Sequence, residues 1–223
     1  MQNDLRPFER RVFSQCGEDG VLEHIFESIG SGLRHFVEFG AKDGQAISNT
    51  ANLRLNHGWT GLLLDAAVSD EDPLVKRAFI TAENINDLFA EHEVPELFDL
   101  LSIDIDGNDY WVWKALDRFT PRVVVVEYNI FFQPSDARTM PYDPDHVWRD
   151  DSCYHGASLA ALRKLGDEKG YALVHTDSWA PNAFFVLRSE LPKDYKERPT
   201  HELTDWRHFS EPPGTEGMVW TQV

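Results

Sequence analysis

The run Val123-Val124-Val125-Val126 constrains the fold more than any other stretch of the chain. It is β-branched throughout and shows no polar alternation, so neither face of the strand it forms can point to water. Such a strand belongs inside a mostly parallel sheet covered by helices on both sides. The rest of the chain repeats this logic. Short apolar runs at His35–Phe39, Gly61–Asp65, Ala78–Thr81, Phe98–Ile105, Arg122–Tyr128, Tyr171–His175 and Ala183–Leu187 read as strands. Helical patterns at Gly20–Ile29, Ile47–His57, Asn86–Glu93, Tyr110–Leu116 and Ser158–Lys169 lie between them. Val21, Ile25 and Phe26 share one face of the first helix. Leu159, Leu162 and Leu165 form a stripe on the last, which Gly170 stops, and Ser48 is a candidate N-cap for the second. The Thr176–Asn182 connection is too short for a helical crossover, so the last two strands pair antiparallel at an edge. The expectation is an α/β fold of five strand–helix steps followed by a hairpin.

Composition sets the outer bounds. The chain has 223 residues, 42% hydrophobic and 26% charged, as in ordinary folded proteins. One domain over residues 1–223 is expected, with an N-terminal helix at 14–30, a core at 35–189 and an irregular tail at 190–223. The stretch Ile130–Tyr154, rich in proline and aromatic residues, is expected to be a substrate loop or lid. A net charge of −17 repels phosphate backbones and anionic lipid, so no nucleic-acid or membrane partner is expected. Cys16 and Cys153 are too few for a disulfide framework and lack metal-type spacing, which suits free thiols in a reducing compartment. No apolar run approaches the roughly 18 residues of a membrane span, and Met1–Arg11 has no signal-peptide core. The expected location is cytoplasmic.

Three clusters carry chemistry. The first is the turn Val37-Glu38-Phe39-Gly40-Ala41-Lys42-Asp43-Gly44, between a strand and a helix. Its glycines allow a sharp turn and close approach of a ligand. Asp65 ends the next strand, where a carboxylate can accept hydrogen bonds from both hydroxyls of a ribose. The G-x-G-x-x-G fingerprint of dinucleotide sites is absent, because Lys42 stands at its second glycine. Glu38 is a poor neighbour for phosphates and a good one for an ammonium group. A ligand with a ribose, an ammonium and no phosphate fits S-adenosylmethionine.

The second cluster, Asp104-Ile105-Asp106-Gly107-Asn108-Asp109, follows the fourth strand; the third, Glu127-Tyr128-Asn129, ends the fifth. In an open α/β sheet ligands collect beyond the carboxyl ends of the strands. Asp104, Asp106 and Glu127 would converge there as hard oxygen ligands for Mg²⁺ or Mn²⁺, with Asn129 or His155 as further ligands. His155, ahead of a helix, and His146, in the long loop, are candidate general bases.

Together these motifs resemble class I S-adenosylmethionine-dependent methyltransferases, specifically the FkbM-like family. The resemblance runs from about Phe13 to Leu187. It rests on Ser14-Gln15-Cys16-Gly17-Glu18-Asp19-Gly20, the Glu38–Gly44 turn with Ser48-Asn49-Thr50, Gly58-Trp59-Thr60-Gly61 before Asp65, Asp104–Asp109, Glu127-Tyr128-Asn129, Gly156-Ala157-Ser158-Leu159 and Asn182-Ala183-Phe184-Phe185. It implies a Rossmann-like three-layer sandwich, its seven-stranded sheet in the order 3-2-1-4-5-7-6 with strand seven antiparallel. The cofactor positions it implies are Gln15, Glu38, Gly40, Asp43, Gly44, Ser48, Asn49, Asp65 and Asp104, with Asn84, Ile85 and Asn86 at the adenine. Lys42 departs from the usual glycine. Related O-methyltransferases bind Mg²⁺ through acids after strands four and five, which adds support for a metal at Asp104 and Glu127. The implied activity is methyl transfer to a small-molecule acceptor, most simply a sugar or natural-product hydroxyl, with carboxylates and amines still open. A nucleotide-dependent oxidoreductase and a non-catalytic binding module are the rival readings. The sequence leaves oligomeric state open.

Overall fold

The computed structural model describes residues 1–149, 152–179, 181–203 and 212–223. A seven-stranded sheet forms the centre, built from β1 (His35–Phe39), β2 (Thr60–Asp65), β3 (Lys76–Arg77), β4 (Leu97–Ile103), β5 (Thr120–Glu127), β7 (Tyr171–Thr176) and β8 (Asn182–Leu187). Its order is β3-β2-β1-β4-β5-β8-β7. Strands β1 to β5 pair in parallel, and β8 runs antiparallel to both β5 and β7. Counted within this sheet alone, that is the expected order 3-2-1-4-5-7-6. The two-residue strand β6 (Arg138–Thr139) lies outside it and pairs with β9 (Thr221–Gln222).

The pleat divides the core into two layers. Val124 and Val126 of β5 face a cluster that holds Phe89, Trp113 and Leu162, while Val123 and Val125 face Val21, Leu22 and Ile25. Side chains of a strand alternate in direction, so four consecutive valines fill both layers. Helices α3 (Ile85–Glu91), α4 (Asp109–Ala115) and α5 (Leu159–Glu168) close the first layer; α1 (Glu18–Ile29) and α2 (Ala51–His57) close the second. Each fully buried aliphatic side chain contributes about 1.5–3 kcal/mol relative to exposure.

Local signals set several boundaries. Ser158 caps α5, its side chain accepting the Ala161 N–H at 3.1 Å. Helix α2 begins at Ala51, four residues later than the periodicity predicts, because Ile47 takes φ +54° and bridges to Ser14. Ser48 still serves the helix start by accepting from Ala51 N at 3.0 Å. The expected strand Ala78–Thr81 is displaced. Pairing ends at Asp65↔Arg77, where β2 stops; Ala78 donates its N–H to Asp65 O at 3.0 Å, and residues 78–81 form no strand. The long loop is irregular apart from β6, and its residues 150 and 151 lie outside the described part. The tail contains a short helix α6 (Thr200–Leu203) and β9; residues 204–211 lie outside the described part, as does residue 180 of the β7–β8 connection. Among the described residues no helix is long and apolar enough to cross a membrane. Cys16 and Cys153 are both free.

Candidate functional site at the carboxyl edge of the sheet

A cavity of about 400 Å³ opens beyond the carboxyl ends of β1, β2, β4 and β5. It sits where strand order reverses between β1 and β4, the position at which open α/β sheets bind ligands.

The β1 turn forms one wall. Gly40, Lys42 and Gly44 all have positive φ, at +65°, +50° and +70°. Lys42 thus adopts the backbone shape that glycine favours, and its N–H donates to Asp65 Oδ2 at 2.8 Å. Asp65 also accepts the Ala67 N–H at 2.7 Å. Each carboxylate oxygen therefore holds one backbone donor and keeps further acceptor capacity toward the cavity it lines. Gln15, Gly40 and Lys42 line the same wall. Asp19 fixes the segment ahead of Gln15 by accepting the N–H groups of Val12, Phe13 and Ser14 at 2.7–2.8 Å.

Glu38 does not reach the cavity. It points the same way as Phe36, into the α1–α2 layer, and is only 4% exposed. Its carboxylate accepts Ser48 Oγ at 2.7 Å, Asn49 N at 2.7 Å and Thr50 Oγ1 at 2.5 Å. Burial raises its pKa against those three donors. Ser48 and Asn49 are likewise buried, and the Asn49 amide donates to Ser102 Oγ at 3.1 Å. Asp43 is exposed and accepts from Gln45 N and Ala46 N. The structure therefore uses Glu38, Asp43, Ser48 and Asn49 to shape the turn from behind.

The opposite wall is acidic. Asp104, Asp106 and Glu127 each offer a carboxylate oxygen within 4.8 Å of the other two. All three line the cavity. Among the described residues no lysine or arginine pairs with them. Burial raises Asp104 well above the usual carboxylate range, and Glu127, Asp109 and Asp106 add to the effect while Lys42 opposes it. Asp106 is raised by burial and by Glu127. Asp109 stands behind the loop and holds it: its carboxylate accepts Ile105 N and Gly107 N, each at 2.9 Å. This set of oxygens suits a divalent cation of the Mg²⁺ or Mn²⁺ kind.

His155 lies behind Glu127, with Nδ1 3.5 Å from Oε2, an ion-pair separation too long for a hydrogen bond. Burial lowers the His155 pKa, but Glu127, Asp109 and Asp106 outweigh it and the net shift is upward. His146 instead lines the cavity and packs on Gly107, where a Cβ would come within 2.4 Å of its ring. Burial lowers its pKa and keeps it neutral.

Asn129 is not brought into the acid cluster. Its amide donates to Cys153 O at 2.8 Å and His155 O at 3.1 Å, and its Oδ1 accepts Phe131 N. It anchors the His155 segment. The adenine positions are also absent from the lining: Asn84 bonds Thr81 N and Phe79 O, Ile85 is buried in the core, and Asn86 donates to Ala115 O. Ala78, Phe79 and Ile80 form that wall, joined by Ala66, Asn108 and Trp148. Sequence reasoning missed this apolar wall because the run looks like a strand. Of the loop aromatics, Trp148 lines the cavity. Phe132 packs on Trp220, the Tyr142 hydroxyl donates to Glu83, and the Tyr154 hydroxyl donates to Val219 O.

No family model matches the chain, and no curated protein matches it significantly. Among solved structures it is similar to an O-methyltransferase family protein from Burkholderia thailandensis, at 11% sequence identity and a TM-score of 0.40 over 77% of this chain. The chain spans 58% of that protein's length.

Proposed function

We propose that the chain is an S-adenosylmethionine-dependent methyltransferase of the FkbM-like kind, acting with a divalent cation on the hydroxyl of a small molecule such as a sugar or natural product. The observation that carries this reading is one cavity at the strand-order switch with Asp65 and the Gly40 turn on one wall and three convergent acids on the other. The residues fit both groups. Asp65 keeps acceptor capacity for ribose hydroxyls, Gly40 keeps the wall low, and three convergent carboxylates offer hard oxygen ligands to a cation.

The cofactor supplies an electrophilic methyl group, and a bound cation supplies charge that favours the ionised acceptor hydroxyl. The chain's own work is alignment, water exclusion and management of one proton. Gln15, Gly40 and Asp65 hold the donor; Asp104, Asp106 and Glu127 hold the cation. Phe79, Ile80 and Trp148 exclude water. His146, neutral and on the cavity wall, accepts the proton at its ring, ahead of His155, whose raised pKa and partner Glu127 give it a charge-balancing role.

Calorimetry with S-adenosylhomocysteine and with NADH tests the reading. Binding of the first alone is expected, and Asp65→Ala should weaken it by about 1–3 kcal/mol, the cost of losing charge-assisted hydrogen bonds. Binding of NADH alone would favour an oxidoreductase; binding of neither would leave a module without this cofactor.

A further inference from the structure

Away from that cavity, the N-terminal segment and the end of β7 build a second group of ligating side chains. Glu9, His175 and Asp177 each offer one ligand atom within 4.8 Å of the others. None of the three lines the cavity described above. His175 Nε2 lies 3.0 Å from Glu9 Oε1, across 166 residues of sequence. Asp177 is 6% exposed, and neither of its carboxylate oxygens has a hydrogen-bond partner. A fully orphaned carboxylate beside two other ligating groups is the observation that sets this cluster apart from an ordinary ion pair.

Charge sharpens the point. Glu18 is fully buried beside Asp177, and its own oxygens are occupied by Cys16 N at 2.7 Å and the Asn182 amide at 2.9 Å. Two carboxylates therefore flank the imidazole, and Glu18 lies beside Asp177. Among the described residues no lysine or arginine pairs with Glu9, Glu18 or Asp177, so even a charged His175 leaves the group negative. Buried charge of one sign is relieved either by protonation, toward which Asp177 is pushed, or by a counter-charge. Gly17 lets the chain pack closely against the group: a Cβ there would sit 2.6 Å from Glu9 Cβ and 3.0 Å from Asp177 Oδ1.

We propose that Glu9, His175 and Asp177 bind a divalent transition-metal ion, of the Zn²⁺ or Mn²⁺ class, that clamps the N-terminal segment to the end of β7. One imidazole with two carboxylates favours such ions over Mg²⁺ or Ca²⁺, which prefer all-oxygen shells. The 3.0 Å separation of Glu9 and His175 is close to the spacing of neighbouring ligands on an ion with bonds of about 2.1 Å. Ser178 orients Glu9 from outside, donating its N–H at 3.1 Å and its hydroxyl at 2.8 Å to Oε1. The clamped segment continues through Ser14 to Gln15 on the cavity wall, so the ion would stiffen one side of the main site without touching it.

The test separates the two clusters. In a chain carrying Asp104→Asn and Glu127→Gln, elemental analysis after zinc loading and gel filtration should find one zinc per chain. Adding Asp177→Asn should weaken zinc binding about tenfold or more. Absence of zinc from the first variant, or equal affinity after Asp177→Asn, overturns the proposal. Because these variants can fail to fold, the unsubstituted chain provides a second reading: Zn²⁺ should shift the ring resonances of His175 at stoichiometric addition. Unmoved His175 resonances likewise overturn it.

Discussion

Gly40 and Asp104 touch backbone to backbone: a Cβ at position 40 would fall 1.9 Å from the Asp104 carbonyl oxygen. The turn after β1 and the acid after β4 are therefore one construction, and the cavity depends on their contact. Gly40→Ala adds that clash to a φ of +65°. We expect a loss of about 2–4 kcal/mol in stability, read from urea unfolding, together with lost S-adenosylhomocysteine binding. A variant that keeps wild-type stability would mean the two turns can separate freely.

Ser48 ties the helix start to the buried Glu38. It donates to Glu38 Oε2 and accepts from Ala51 N. Ser48→Ala removes both bonds and should cost about 1–3 kcal/mol. Losing a donor to the carboxylate raises the Glu38 pKa further, so the penalty should be larger at pH 8 than at pH 5. Equal penalties at the two pH values would show that only the helix cap matters.

The sheet was legible because its signals are local. Val123–Val126 announces a two-sided strand, and Ser158 with its Leu159–Leu162–Leu165 stripe announces α5; both are found where the pattern puts them. The third strand was misread because Ala78 to Ile80 are apolar for the cavity's sake, while Lys76 and Arg77, which pair, are exposed. Gly40, Asp65, Asp104, Asp106 and Glu127 could be read from strand ends, since topology alone brings those ends together. Glu38 and Asn129 could not be assigned correctly by that rule. Whether a strand-end side chain faces the ligand or the layer behind it depends on pleat and on loop partners far away in sequence. The Glu9–His175–Asp177 group has no spacing signal beyond a lone histidine, because its members meet only after the chain has closed.

The buried acids predict an unusual direction of pH dependence. Asp104, Asp106 and Asp109 all have raised pKa values, through burial first and neighbouring carboxylates second. Asp177 is pushed up to about 9 by burial, with Glu18 and Glu9 adding to it. A carboxyl whose folded pKa exceeds its unfolded value stabilises the fold fully below the unfolded pKa. That stability is lost as pH rises toward the folded pKa. Chelator-treated protein should therefore melt at lower temperature at pH 8.5 than at pH 5.5, by about 5 °C or more, since 1 kcal/mol moves the Tm of such a chain by about 2–4 °C. High salt screens the exposed part of the −17 charge and should leave most of the difference in place. Divalent cations should narrow it at pH 8.5. A Tm that rises with pH in chelator would show that these acids ionise without penalty.

The order of importance within the acid wall is open to a direct comparison of Glu127→Gln and His155→Ala. Glu127 lines the cavity and offers an oxygen near Asp104 and Asp106, whereas His155 meets Glu127 from behind at 3.5 Å. If the wall works by holding a cation, Glu127→Gln removes a charged ligand and should lower turnover by about 100-fold, while His155→Ala removes an orienting partner and should cost about tenfold. Turnover of the unsubstituted chain should fall in chelator and return with Mg²⁺ or Mn²⁺. In His155→Ala the imidazole that titrates beside Glu127 is gone, so its contribution to the pH–rate profile should disappear. His146→Ala should flatten that profile near neutrality without changing cation affinity. These assays use saturating S-adenosylmethionine and an acceptor found by screening hydroxylated small molecules. Wild-type turnover in Glu127→Gln combined with none in His155→Ala would reverse the ordering and make the site base-driven; full turnover after exhaustive chelation would leave the three acids with a purely organising role.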